Sequence, residues 1–222
     1  MGQIIKIKSI VHLTHDVLRI RLEKPRILSF HPGQAADISI NRPGWEDKCR
    51  AFTFTSLPDD DYLEFSIKTY PARQDVTNQL LSLVPGDELI IHDVFGAIAY
   101  KGEGLFIAGG AGVTPFIAIF RQLEREGRIG KNSVLFANKR REDIIDDLYF
   151  SKLLGDRFIN VLSEEKLSGY EYGYINETLL RKYMDPKLPY IYLCGPDPMM
   201  DAIKSSLHLL GVPESKIIQE KF

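Results

Sequence analysis

The chain of 222 residues has little of what would mark it as a specialised protein. It carries only two cysteines, Cys49 and Cys194, far apart and with no partner at metal-ligand spacing. An iron–sulfur cluster, a zinc site and a disulfide framework therefore lack support, and a reducing compartment is expected. No apolar run approaches the roughly 18 residues of a membrane span, and Met1-Gly2-Gln3-Ile4-Ile5-Lys6 lacks the basic-then-apolar build of a signal peptide. An excess of one charge is missing too: 28 Lys and Arg stand against 30 Asp and Glu, with no long run of either. Neither nucleic acid nor a membrane is expected as a partner, and a cytoplasmic protein is the default. What remains is a chain 44% hydrophobic, without internal repeats, long enough for one large core or two small ones.

The first hundred residues are punctuated like antiparallel β structure. Alternating segments recur at Ile4 to Leu13, Val17 to Glu23, Ala35 to Ile40, Arg50 to Ser56, Tyr62 to Lys68 and Glu88 to His92, separated by turn chemistry. His31-Pro32-Gly33 and Pro43-Gly44 place Pro and Gly as type II turns want them, and Asp59-Asp60-Asp61 reads as a solvated hairpin loop. Val76 to Val84 alone has helical spacing, which Pro85-Gly86 stops. Six strands predict a small barrel over residues 1–101.

From residue 102 the pattern changes to a doubly wound α/β domain. Leu105 to Ala108 is continuously apolar, as a strand buried on both faces requires. Strand then alternates with helix: Ser133 to Ala137, Asp143 to Leu154, Phe158 to Leu162, Asn176 to Met184, Tyr190 to Cys194, Pro198 to Leu210 and Lys216 to Glu220. That alternation predicts a parallel sheet covered on both faces.

Two glycine turns close strands of this half. Gly109-Gly110-Ala111-Gly112-Val113-Thr114-Pro115 joins a buried strand to a helix, with Thr114 as cap and Pro115 in the first turn. Such a turn lets the backbone approach a pyrophosphate and offers it free N–H groups, although Pro115 replaces the third glycine of the dinucleotide fingerprint. A tight turn without a ligand is the alternative. Cys194-Gly195-Pro196-Asp197-Pro198 ends another strand, with Asp197 as expected N-cap. Both turns fall at the carboxyl ends of strands, where open α/β sheets bind ligands. In the barrel half, Cys49 to Ser56 combines an arginine, aromatics and hydroxyls; alternation sets Arg50, Phe52, Phe54 and Ser56 on one face, and Ala51, Thr53 and Thr55 on the other.

In combination these segments resemble the ferredoxin–NADP reductase superfamily. Arg50-Ala51-Phe52-Thr53 is similar to its Arg-x-Tyr/Phe-Ser/Thr signature, and Phe30-His31-Pro32-Gly33-Gln34 to its Phe-x-Pro-Gly-Gln turn. Leu83-Val84-Pro85-Gly86-Asp87, Val94-Phe95-Gly96 and both glycine turns follow in family order, through Met199. The resemblance implies a flavin-binding Greek-key barrel followed by a nicotinamide-binding α/β domain. It implies that Arg50 contacts the FAD pyrophosphate, Phe52 stacks on the flavin and Thr53 lies near its N5. Lys68, Val76 and Thr77 join the cofactor contacts, the helix at Asp75-Val76-Thr77 receiving the pyrophosphate with Thr77 as hydroxyl donor. Two positions depart from the family: Asp75 and Val76 stand where it often has glycine, and Phe52 where it often has tyrosine. On the nicotinamide side the implied contacts are Gly109, Gly110, Gly112, Thr114, Pro115, Gly195, Pro196 and Met199. Cys194 and Thr53 are the implied catalytic positions. They are joined by Glu220 and Phe222, whose terminal aromatic would cover the flavin or, alternatively, face solvent.

Lys139, Arg140 and Arg141 follow the second strand of the α/β half, which leans the expected donor toward NADPH over NADH. The expected activity is FAD-dependent NAD(P)H oxidation with electrons leaving to flavodoxin, ferredoxin or an oxygenase component. The paucity of cysteine and the length both point to a separate electron carrier. Two alternatives stay open: a flavin reductase that releases free reduced flavin, and a module that binds cofactor to sense redox state.

Overall fold

A computed structural model describes residues 2–73, 75–96 and 98–219. The chain divides into two compact units, one of Met1–Ala99 with Thr114–Gln122 and the other of Tyr100–Val113 with Leu123–Phe222.

The first unit holds β1 (Gln3–His12), β2 (Val17–Glu23), β3 (Ala35–Ile40), β4 (Arg50–Thr53), β5 (Tyr62–Lys68) and β6 (Glu88–Phe95). All pairings are antiparallel, in the order β4-β3-β6-β1-β2-β5. The two ends of that order meet. Phe54 bridges to Phe65, and the Thr55 N–H donates to the Glu64 carbonyl at 2.8 Å, so the sheet closes on itself just past β4. Closure removes the exposed edges that an open six-stranded sheet would present. The predicted strand thus ends three residues early, and Phe54 stacks on Phe30 in the core, ring centroids 4.1 Å apart.

Turn chemistry explains the connections. Gly33 has φ 97°, and the Gln34 N–H donates to the His31 carbonyl, as a Pro-Gly type II turn demands. A Cβ there would sit 2.2 Å from the Ile98 carbonyl oxygen, so glycine is required twice over. The helix expected through Val84 is shorter: α1 (Val76–Gln79) tightens into a 3₁₀ turn, Leu80–Ser82, and Leu83 is already extended. Pro85 disfavours helical backbone at Val84, whose N–H is taken by the Asp87 carboxylate at 2.8 Å.

The second unit is a parallel sheet of β7 (Gly104–Gly109), β8 (Ser133–Asn138), β9 (Phe158–Leu162), β10 (Glu171–Tyr172), β11 (Tyr190–Cys194) and β12 (Ile217–Gln219). Its order is β10-β9-β8-β7-β11-β12, with β10 a two-residue edge strand that the sequence pattern did not anticipate. The order reverses beside β7, which makes the carboxyl ends of β7 and β11 a topological switch point. Helices α2 (Thr114–Arg125), α3 (Asp147–Leu154), α4 (Glu177–Tyr183) and α5 (Asp197–Leu209) connect the strands. Residues Thr114–Gln122 of α2, nine of its twelve, group with the barrel unit. Helix α3 starts four residues later than expected because Asp146, at φ 55°, interrupts helical backbone after the 3₁₀ turn Arg141–Asp143. Tyr192 anchors the entry to the sheet. Its hydroxyl donates to the Gly102 carbonyl and accepts from the Lys101 and Gly102 N–H groups, while burial pushes it up to about 12. Among the described residues no helix is long and apolar enough to cross a membrane.

Candidate nucleotide-binding sites

The two glycine turns are packed backbone against backbone at the switch point. A Cβ on Gly112 would lie 2.3 Å from the Cys194 carbonyl oxygen and 2.7 Å from Gly195 Cα. One on Gly109 would lie 2.5 Å from Met199 Sδ, and one on Gly195 would lie 2.5 Å from Met199 Cε. Gly112 is therefore closed to a side chain by backbone, whereas Gly109 and Gly195 are covered chiefly by the flexible Met199 side chain. Gly110 differs: its φ is 51°, and a Cβ there would meet nothing within 4 Å, so the turn opens on free space at that residue. Thr114 and Pro115 occupy the first two helical positions of α2, so Thr114 opens the helix instead of capping it from outside. Asp197 likewise opens α5. Pro196 takes the cap position, its carbonyl accepting from the Met199 and Met200 N–H groups. An acid in a first turn still meets the positive end of the helix dipole. Cys194 is half-buried and forms no disulfide.

The basic run after β8 has partners that its sequence alone does not reveal. Lys139 lies 3.2 Å and Arg140 3.8 Å from the Glu164 carboxylate, and the Arg141 N–H donates to Glu165 at 2.8 Å. Asn138, the last residue of β8, is 9% exposed, and its buried Nδ2 has no hydrogen-bond partner.

On the barrel, β4 presents Arg50 exposed, with Phe52 and Thr53 half-buried. Phe52 packs against the barrel core, and the Arg50 guanidinium donates to the neighbouring Cys49 carbonyl at 2.9 Å. The donors expected on α1 are spent within the protein. The Thr77 hydroxyl donates to Asp75 Oδ1 at 2.6 Å, and the Asn78 N–H reaches the same oxygen at 3.3 Å. The Thr77 hydroxyl first, then the backbone N–H groups, hold the Asp75 carboxyl below its ordinary value against the opposing effect of burial. Val76 is buried in the barrel core. Lys68 forms an ion pair with Asp16 at 2.7 Å. Of the flavin-side residues named from sequence, β4 gathers Arg50, Phe52 and Thr53, whereas Lys68 and Thr77 answer to carboxylates of their own. Glu220 and Phe222 lie outside the described residues.

One charged group of the barrel escapes a reading of the sequence. Glu64, on β5, is fully buried. Its carboxylate meets Arg121 at 2.7 Å, Arg21 at 2.8 Å and Arg19 at 3.7 Å, and accepts from the Thr55 hydroxyl. Burial raises its pKa, but Arg121, Arg21 and Arg19 outweigh burial and hold it below the ordinary value. Arg19 and Arg21 recur at strand spacing on β2, which pairs with β5; that alternation was the available signal.

Comparison with known proteins supplies the family. An FAD-binding domain model matches residues 3–94, and an oxidoreductase NAD-binding domain model matches residues 106–205. The chain belongs to the ferredoxin–NADP reductase superfamily. Its two parts are an FAD-binding domain and an oxidoreductase NAD-binding domain of that superfamily. The reductase component of propane 2-monooxygenase from Rhodococcus jostii (strain RHA1) is 29% identical over 98% of this chain and 62% of its own length. NADH-cytochrome b5 reductase 2 from Mycosarcoma maydis is 29% identical over 89% of this chain and 62% of its own length. The chain thus spans less than two thirds of these relatives. A ferredoxin NADP+ reductase from Neisseria gonorrhoeae superposes with a TM-score of 0.84 at 18% identity, covering 99% of this chain and 98% of that one. This last likeness concerns the fold.

The residues present fit both groups of this reductase fold. The interlocked glycines leave backbone, not side chains, facing the opening at Gly110, the surface a dinucleotide phosphate needs. On the barrel, β4 offers a cationic, an aromatic and a hydroxyl side chain within four residues.

Proposed function

We propose that this chain is the flavin-dependent reductase of an electron-transfer system, oxidising NADH or NADPH and passing electrons to a separate one-electron acceptor. The interlocked turns Gly109–Gly112 and Cys194–Pro196 at the switch point carry the reading, because they bring backbone instead of side chains to the carboxyl ends of β7 and β11. Relatives described as reductase components of oxygenases favour an oxygenase component as acceptor, with ferredoxin or flavodoxin as the neighbouring possibilities. Bound FAD supplies the conversion between a two-electron donor and one-electron output.

The protein's share is geometry and electrostatics. Arg50 offers an exposed guanidinium to the FAD phosphates, Phe52 an aromatic surface and Thr53 a hydroxyl beside the flavin ring. Gly110, Gly112 and the opening of α2 at Thr114 and Pro115 receive the dinucleotide phosphates, and Cys194 and Met199 border the nicotinamide end. Lys139 and Arg140 pair with Glu164 on an exposed surface, where such pairs are weak and exchange readily, so a lean towards NADPH is kept and both donors are tested. Anaerobic mixing of FAD-loaded protein with each donor tests the reading, followed by addition of oxidised ferredoxin. Flavin bleaching and then ferredoxin reduction are expected; a flavin that neither donor reduces contradicts it.

One observation favours a second reading, the flavin reductase. Asp75 places a carboxylate on the Thr77 and Asn78 donors, which weakens any flavin phosphate that depends on them. Gel filtration separates the two: FAD that stays with the protein supports electron transfer to a separate acceptor, and FAD that leaves with the small molecules supports the flavin reductase.

A further inference from the structure

Buried ion pairs add little net stability, so a carboxylate ringed by cations asks for a geometric reason. Glu64 is such a carboxylate, fully buried on β5. Arg19 and Arg21 reach it from β2, but Arg121 reaches it from α2, the helix that follows the first glycine turn. One nitrogen of Arg121 makes two bonds: Nη1 donates to Glu64 Oε1 at 2.7 Å and to the Thr55 carbonyl at 2.6 Å. Both acceptors belong to the seam where the barrel closes. There the Thr55 N–H donates to the Glu64 carbonyl, the Thr55 hydroxyl to Glu64 Oε1, and the Glu64 N–H to the Ser56 hydroxyl. The seam begins directly after Thr53, at the bridge between Phe54 and Phe65. On the helix, Arg121 stands nearly two turns after Thr114, on the same face and about 10 Å along the axis. Thr114–Gln122 accordingly belongs to the compact unit of the barrel. A single guanidinium thus joins the segment that follows Arg50, Phe52 and Thr53 to the helix that opens at Thr114 and Pro115.

We infer that Arg121, held by Glu64 and the Thr55 carbonyl, is a positioning residue for oxidation of the nicotinamide dinucleotide, fixing the opening of α2 relative to β4. The inference rests on the reductase reading and adds to it a residue that acts through the backbone instead of touching a ligand. In that reaction the nicotinamide C4–H bond breaks and its hydride, with both electrons, forms an N–H bond on the flavin, so NADH or NADPH is oxidised and FAD reduced. Arg121 takes no part in these bond changes. Transfer of this kind depends steeply on distance, and a misplacement of about 1 Å caused far from the chemistry costs about 100-fold. Apolar packing alone lets a helix slide and turn, whereas a guanidinium bonded to a carboxylate and a carbonyl fixes its height and its rotation together.

Arg121→Met and Arg21→Met test this side by side, since each takes one arginine from the same carboxylate and the first unties α2. The readouts are anaerobic stopped-flow reduction of the FAD-loaded proteins at saturating NADH and NADPH, calorimetric titration with NAD+ and NADP+, and hydrogen exchange along α2. Arg121→Met is expected to lower the limiting rate of flavin reduction about tenfold or more while the dissociation constants stay within about twofold of the wild type, because the tie governs placement and not affinity. Exchange should rise over residues 114–122 without a matching rise in β7 or β8. Arg21→Met is expected to keep the limiting rate within about twofold, whatever it costs in stability. If Arg121→Met does not fold, Arg121→Lys takes its place: the shorter side chain cannot hold both oxygens without shifting α2, and a loss of about threefold or more is expected. Equal slowing by the variants at Arg121 and Arg21, an unchanged limiting rate or unchanged α2 exchange in the Arg121 variant, or weaker dinucleotide binding at an unchanged limiting rate overturns the inference alone. A wild-type flavin that neither donor reduces defeats the reductase reading and this inference with it.

Discussion

The barrel buries a charged cluster, whereas the parallel sheet lines its switch point with bare backbone. In the barrel, Glu64 is buried against three arginines, while nearer the surface Lys68 pairs with Asp16 and Asp75 holds Thr77 and Asn78. In the sheet, the switch point is stripped of side chains by Gly109, Gly110, Gly112 and Gly195. The first arrangement stabilises a closed structure and the second keeps a surface ready for a ligand. Buried charge is a poor guide to a ligand site when its partners are internal, and bare backbone at a topological switch point is a better one.

The largest effect is expected where that internal pairing is broken. Glu64→Gln leaves Arg21 and Arg121 facing each other without their anion, a loss of about 3–5 kcal/mol for a buried pair deprived of one partner. Urea unfolding measures it. A change below about 1 kcal/mol would show that the cluster is held by water instead. The same group sets an acid dependence. Its folded pKa is depressed, so its contribution is complete above its ordinary value of 4.5 and disappears as pH falls through the lower folded value. Wild type should lose stability below pH 4.5 more steeply than Glu64→Gln.

Next comes the glycine contact. Gly112→Ala drives a Cβ into the Cys194 carbonyl and forces the two turns apart, costing about 1–3 kcal/mol. Reduction of the flavin by NADH and NADPH should slow at least tenfold, while FAD content is unchanged. Equal loss of FAD would mean that the two regions are not separable in the way described. Asp75→Asn sharpens the contrast from the other side. Removing the negative charge from the start of α1 should tighten FAD several-fold, measured by quenching of flavin fluorescence, without affecting NAD+ binding. The smallest effect belongs to Glu164→Gln, which releases Lys139 and Arg140 and should lower KM for NADPH a few-fold while leaving that for NADH in place.

Much of the fold was legible because it depends on local chemistry. Alternation located the strands of the barrel to within a few residues, and Pro-Gly pairs named their turns. The glycine turns announced the switch point because a close backbone approach admits no other residue. What stayed hidden was set by register between distant segments. Glu64 reads as the polar face of β5 until β2 delivers Arg19 and Arg21, and α2 delivers Arg121, to the same point. Asp75 departs from a phosphate-binding pattern in sequence, and only the fold shows its carboxylate on the Thr77 hydroxyl. Lys139 and Arg140 dominate the local charge in sequence, and Glu164, 25 positions after Lys139, was out of sight.

The central claim is that a nicotinamide dinucleotide meets the glycine turns and delivers electrons to flavin held by the barrel. Anaerobic stopped-flow mixing of FAD-loaded protein with NADH and with NADPH tests it most directly, read as loss of the flavin's visible absorbance. The account predicts rapid bleaching by both donors in the wild type and bleaching slowed at least tenfold in Gly112→Ala. A flavin that stays bound and oxidised with either donor would contradict it.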